Sequence, residues 1–316
     1  MKAKLNLILI INRKNYIVSF VKTYWRYCSA FVISFFCIAA LLQKVNSYHV
    51  SVPVKFDLSR IPYVDVSIQE SCYPMSLDLG SKLELKLLSD HIRGLRKTSL
   101  ELQTYKNFRG IEYKRSAYCL EKAQIGSFVF NNSTIVEVYP VDEEAYLIYS
   151  NRSDKDPPDP VGTIGRGLLK KVNLLLDSKN SKLILSNSFF KLKQDGYDLR
   201  KYSKIPFEMT PKGIIVNVST DLGVFKMLLD TGCTRVILHE SKYPGDISKA
   251  ERQYNLPIMQ SKTFSIQGLD YGEMDILFIK MTEEINDVDG ILGMDFIKNH
   301  VMYIDFTKQL IYIEKP

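Results

Sequence analysis

Asp230 lies in the run Leu-Leu-Asp-Thr-Gly at 228–232, where an apolar strand delivers a carboxylate into a turn closed by glycine. Asp78 occupies a similar place in Leu-Asp-Leu-Gly-Ser at 77–81. Hydrolysis of a peptide bond by carboxylates needs two aspartates close enough to share one proton. Like charges that near cannot both ionise, so one pKa falls and the other rises. The ionised member takes a proton from a water while the protonated member hydrogen-bonds the scissile carbonyl oxygen, and the two apparent pKa values belong to the pair. Gly80 and Gly232 would let the two turns run tightly past each other. The Thr231 hydroxyl could bond across to the facing turn, but Leu79 stands where that turn would carry its own hydroxyl. The sequence therefore predicts that Thr231 lacks a cross-turn partner, at about 1–3 kcal/mol. Two readings of Asp78 follow: the second carboxylate of an altered pair, or part of a degenerate turn kept for packing. The bland reading of Asp-Thr-Gly is an Asx-type turn between strands.

The elements that must carry these turns come twice. MSLDLGSKLELKL at 75–87 is echoed by MLLDTGCTRVIL at 227–238, and GTIGRGLLKKVNLLLD at 162–177 by GILGMDFIKNHVMYID at 290–305. Gly162 and Gly165 match Gly290 and Gly293, Lys170 matches Lys298, and Asp177 matches Asp305. Runs rich in β-branched and aromatic residues at 63–68, 213–218, 225–229 and 301–306 read as strands. Short helices are expected at 168–172 and 296–300. The first half is the longer, in part through the polar loop 150–160. Asp177 and Asp305 read as strand-terminal turn residues. Hairpins at 264–279, around Gly268 and Gly272, and at 124–139, around Gly126, are candidates for flaps over a bound peptide. Cys233 reads as a small buried residue, although a thiol beside a carboxylate pair could be oxidised.

On LLDTG at 228–232, ILG at 291–293 with its MDFI continuation and the YIDF strand, the chain resembles the pepsin and retropepsin superfamily; LDLGS at 77–81 and TIG at 163–165 match more loosely. Residues 205–316 match nearly end to end. The resemblance implies a mostly-β, bilobal pepsin-like acid-protease fold with one aspartate per lobe, a supporting role for Thr231, Gly232, Leu79 and Gly80 around Asp230 and Asp78, and a structural role for Asp295. The expected domains are a basic N-terminus and anchor at 1–47, a first, degenerate lobe at 50–188, a linker at 189–212 and a second, retropepsin-like lobe at 213–316. The implied activity is that of an aspartic endopeptidase acting on extended polypeptide, with no metal or organic cofactor.

Composition is globular, with 46% hydrophobic and 24% charged residues. The net charge of +7 is concentrated before residue 27, so a phosphate-binding stripe is not supported and no nucleic-acid partner is expected. Those basic residues precede an uncharged run at 27–43. It reads as a single-pass membrane anchor that would leave the remainder outside the cytoplasm, with a cleaved signal peptide, a buried core helix and a transit peptide as the other readings. No CxxC or HExxH pattern occurs. Cys72 and Cys119 could pair in an oxidising compartment. Sequons at Asn132 and Asn217 matter only on a secretory route. The expected state is a monomer. Three alternatives stay open: a pseudoprotease that binds a peptide or protein partner, a homodimer pairing two copies of Asp230, and a membrane-tethered β-rich adhesion or envelope protein.

Overall fold

The computed structural model describes residues 47–106, 111–139, 159–253, 255–281 and 288–315. The expected anchor at 27–43 and most of the loop 150–160 lie outside them. No helix among the described residues is long and apolar enough to cross a membrane. The chain divides into Met1–Ser47 and a compact unit Tyr48–Pro316, and it is the second unit that carries the described strands.

Alternation of apolar and polar residues sets the inward faces. In Pro62–Ile68, Val64, Val66 and Ile68 are buried while Asp65 is exposed; in Ile214–Thr220, Ile214, Val216 and Val218 are buried while Asn217 is exposed. Each strand opens an antiparallel hairpin whose second strand ends at an aspartate turn: Pro62–Ile68 with Ser71–Asp78, and Ile214–Thr220 with Gly223–Leu229. The second motif of each half then lies parallel beside that half's hairpin. Gly162–Gly165 pairs with Ser71–Asp78 so that Gly165 faces Asp78, and Gly290–Leu292 pairs with Gly223–Leu229 so that Leu292 faces Leu229. The closing glycines of this second motif are steric requirements: a methyl group at Gly165 would collide with the Leu83 carbonyl, and one at Gly293 with the Arg235 carbonyl.

The hairpins grow into an 8-stranded sheet in the first half and a 10-stranded sheet in the second. A 6-stranded sheet joins the halves, in the order His49–Pro53, Lys182–Ser186, Leu174–Asp177, Val301–Asp305, Leu310–Ile313, Ser203–Pro206. At its centre, Leu174 pairs with Ile304, Leu175 with Tyr303 and Leu176 with Met302. The repeat makes Leu174 equivalent to Met302 and Leu176 to Ile304. This is the self-complementary pairing that a two-fold axis through the Leu175–Tyr303 pair would generate. One face of this sheet carries Leu174, Leu176, Met302 and Ile304 into the main core; the other carries Leu175, Ile184, Val301, Tyr303 and Tyr312 into a smaller cluster with Leu192, Tyr197 and Leu199. Residues 189–212 contribute to this sheet and its smaller cluster. They contain the helix Phe189–Gln194, capped by Ser188 Oγ accepting from the Lys191 amide, a 3-10 turn Leu199–Lys201 and the edge strand Ser203–Pro206.

The two short helices run Arg166–Leu169 and Met294–Ile297, a turn-half earlier than the sequence suggests. Both start directly after a glycine, which offers no side-chain cap to mark the boundary. Asp177 and Asp305 end their strands by accepting from the Asn180 and Lys308 amides at 2.9 and 3.0 Å. Cys72, Cys119 and Cys233 are all free thiols, so the Cys72–Cys119 pairing is not formed.

Candidate active site

The hairpins bring the turns after Asp78 and Asp230 face to face. The Gly80 amide donates to Asp230 Oδ1 at 3.2 Å, as does the Gly232 amide at 2.7 Å, and the Ser81 amide donates to Asp78 Oδ1 at 2.8 Å. The two carboxyl groups are close neighbours: a single methyl group on Gly232 would stand 2.9 Å from Asp78 Oδ1 and 3.2 Å from Asp230 Oδ1. A methyl group on Gly80 would fall 2.5 Å from Asp230 Oδ2, and one on Gly232 would fall 2.8 Å from Asp78 Cγ. Each glycine is thus fixed by the aspartate of the opposite turn.

Behind the turns the repeat acts symmetrically. The Arg166 amide donates to the Ser81 carbonyl at 2.9 Å, and the Met294 amide donates to the Cys233 carbonyl at 2.7 Å. Each helix start therefore supports the turn of its own half.

The cross-turn bonding corrects the expectation for Thr231. Its hydroxyl accepts from the Leu79 amide at 3.1 Å and donates to the Leu77 carbonyl at 2.7 Å, both across the lobe boundary. It needs only backbone on the opposite side, so Leu79 does not leave it unpartnered. Leu79 is 2% exposed and turns back among Leu77, Leu169, Leu174 and Met302. What Leu79 removes is the reciprocal bond that a hydroxyl there would have returned.

The pair's electrostatics follow from this crowding. Burial, followed by the charge of Asp78, raises the Asp230 pKa well above the ordinary carboxylate range, while the amides of Gly232 and Gly80 oppose the rise. Burial also pushes the Cys233 thiol up to about 12, with Asp230 adding to the effect, and the thiol donates to the Arg235 carbonyl at 3.3 Å. It is therefore neutral and weakly nucleophilic. Asp295 pairs with Arg235 at 3.0 Å and with Lys298 at 3.2 Å, tying the second turn to the helix behind it.

Neither hairpin read from sequence as a flap is near the aspartates. Ser265 of the 264–279 segment pairs with Ser219, which faces Val224; Gln124 of the 124–139 segment pairs with Ser67, which faces Cys72. Both contacts sit at the far ends of their hairpins, roughly 20 Å of strand from the aspartate at ~3.3 Å per residue. Glycine turns marked hairpins correctly but not which end of the sheet they occupy. Two other hairpins lie nearer. Gln103–Lys106 pairs with Glu112–Arg115, and its Tyr105 and Tyr113 share a cluster with Leu83, just past the first turn. Arg252–Gln253 pairs with Leu256–Ser261, and Gln253 accepts from Arg235 Nη2 at 2.6 Å, just past the second.

A further residue at the site went unread in the sequence. Arg166 is 5% exposed, and its Nε donates to the Leu79 carbonyl at 3.1 Å. The signal for it was present: the repeat aligns this arginine with Met294, so a charge interrupts an otherwise apolar run.

No protein-family model and no curated protein matches the sequence. The structure matches that of the aspartic proteinase from Irpex lacteus with a TM-score of 0.57 at 14% identity, covering 85% of this chain and 97% of that one. It also matches Basic 7S globulin from soybean with a TM-score of 0.54 at 11% identity, covering 85% and 95%. The repeated hairpins, the shared central sheet and these likenesses agree: the chain is built on a mostly-β, pepsin-like fold, as these two proteins are.

Proposed function

We propose that the chain is an aspartic endopeptidase in which Asp78 and Asp230 share one proton. The observation that carries this reading is the mutual approach of the two carboxyl groups, each held by turn amides and each faced by the other turn's glycine. Asp230, whose pKa is raised, holds the proton and donates to the substrate carbonyl oxygen. Asp78 takes a proton from the attacking water. The resulting tetrahedral intermediate collapses as the amine leaves with a proton from the pair, and no covalent enzyme intermediate forms. The substrate is an extended segment of polypeptide, with the hairpins beside the two turns supplying β-type backbone hydrogen bonds. In this reading residues 27–43 anchor a monomer in a membrane with the catalytic unit outside the cytoplasm.

A second reading has specific support: an inactive chain that binds peptide in the same cleft. Leu79 in place of a hydroxyl favours it, and the likeness to a globulin fits it. Cleavage of a mixed peptide library by the full-length chain between pH 3 and pH 8 separates the two. On the protease reading wild type cuts while Asp230→Asn and Asp78→Asn fall by about a thousandfold or more, since one dyad member cannot act alone. Loss in Asp230→Asn only would point to a homodimer of second lobes. A folded wild type that cuts nothing anywhere in that range would leave the binding reading.

A further inference from the structure

The buried guanidinium of Arg166 makes no ion pair with a carboxylate among the described residues. Its donors go instead to backbone carbonyls on both sides of the lobe boundary. Nε reaches Leu79 O at 3.1 Å in the first turn, and Nη2 reaches Pro211 O at 3.2 Å and Lys212 O at 3.0 Å, in the segment that enters the second lobe. Nη1 contacts Met209 Sδ at 3.9 Å. Gly213 packs close alongside, where an added methyl would stand 3.5 Å from Nε. A buried charge satisfied only by carbonyl dipoles is costly unless its field is used elsewhere. The titratable groups whose charge reaches it are Asp78 and Asp230, at the ends of Ser71–Asp78 and Gly223–Leu229; Cys233 follows in the turn after Asp230, and Asp295 is tied to that turn through Arg235. The matching position in the second half is Met294, so the device exists only behind the turn that lacks a hydroxyl.

We propose that Arg166 is a positioning residue of the carboxylate pair: it clamps the Leu79 carbonyl to the 211–212 backbone, replacing the cross-lobe bond that Leu79 cannot make, and its charge keeps one carboxylate of the pair ionised. Leu79 is then held at both ends of its backbone, its amide by Thr231 and its carbonyl by Arg166. Burial lowers the arginine's own pKa while the two aspartates raise it.

The inference rests on the protease reading only for its kinetic consequences, so the test carries a second readout. Full-length wild type, Arg166→Met and Arg166→Lys are compared by pH profiles of kcat and KM and by carbon-13 titration of the Asp78 and Asp230 carboxyls. Arg166→Met copies the residue of the second half and removes both charge and fork. It is expected to move both limbs of the kcat profile, and the carboxyl titration, upward by about half to one pH unit, to lower kcat about tenfold or more, and to leave KM within about twofold. Arg166→Lys keeps the charge and loses the fork, so its titration should stay at the wild-type position while kcat falls by about fivefold. A folded Arg166→Met with unmoved titration, losing only heat stability, would overturn the electrostatic role. Wild-type kcat in Arg166→Lys would overturn the clamp, and this arm stands even if Arg166→Met fails to fold. If wild type cuts no peptide but Arg166→Met still shifts the titration, the protease reading falls and the charge assignment survives.

Discussion

At the residue scale, the raised pKa of Asp230 has consequences for stability as well as for the proposed chemistry. Asp230 has a raised pKa in the folded chain, whereas in the unfolded chain it titrates near 4. The folded state therefore binds a proton that the unfolded state has released. The associated stabilisation is complete below about pH 4 and is lost as pH rises through the folded-state value. Asp230→Asn keeps an oxygen to accept from the Gly80 and Gly232 amides and never has to ionise. Thermal unfolding should find it more stable than wild type at pH 7, with the gap closing by about pH 4. Thr231 sits at the opposite extreme, since its hydroxyl serves two buried backbone groups of the other lobe. Thr231→Val should cost about 2 kcal/mol or more, read from denaturant unfolding, because both groups are left without a partner. The aspartates and glycines of the site were legible in the sequence because the close approach of two turns admits so few residue types. The solution to Leu79 was not, because it uses main-chain atoms that every residue possesses, together with an arginine distant in sequence.

At the element scale, what the sequence disclosed depended on whether a strand's environment leaves a mark on its side chains. The hairpins at 62–78 and 214–229 show alternation because one face is buried. The second motif shows its glycines because a parallel strand there passes against the backbone that follows the aspartate turn. The hairpins near the site left a weaker mark: Arg252–Gln253 is a two-residue strand with an exposed arginine, and no pattern of burial distinguishes it from a loop. The packing of the second motif gives a direct test. Gly293→Ala should destabilise by about 1–3 kcal/mol through forced displacement of the Arg235 or Cys233 carbonyl. The same substitution at the open position Gly245 meets no neighbouring atom, though its positive φ of 113° adds a local strain. Comparing the two by chemical denaturation, with both pH and salt fixed, separates crowding from backbone strain.

At the scale of the whole molecule, the pair is completed within one chain only if the two halves hold each other in register. The central sheet does this through antiparallel pairing of Leu174–Asp177 with Val301–Asp305, continued on either side by strands from both halves. If the site is intramolecular, specific activity should not change when the protein is diluted from micromolar to nanomolar concentration; a second-lobe homodimer would lose activity on that dilution. The central pair itself is not symmetric. Tyr303 faces Leu175, its hydroxyl donates to the Ser186 carbonyl at 3.0 Å, and its ring meets Phe189 edge-on at 5.6 Å. Two second halves joined in the same manner would set tyrosine against tyrosine where leucine now stands. If the site is intramolecular, then in genetic terms the halves of this chain are complementary and not redundant, and a lesion in one would not be rescued by a spare copy of the other.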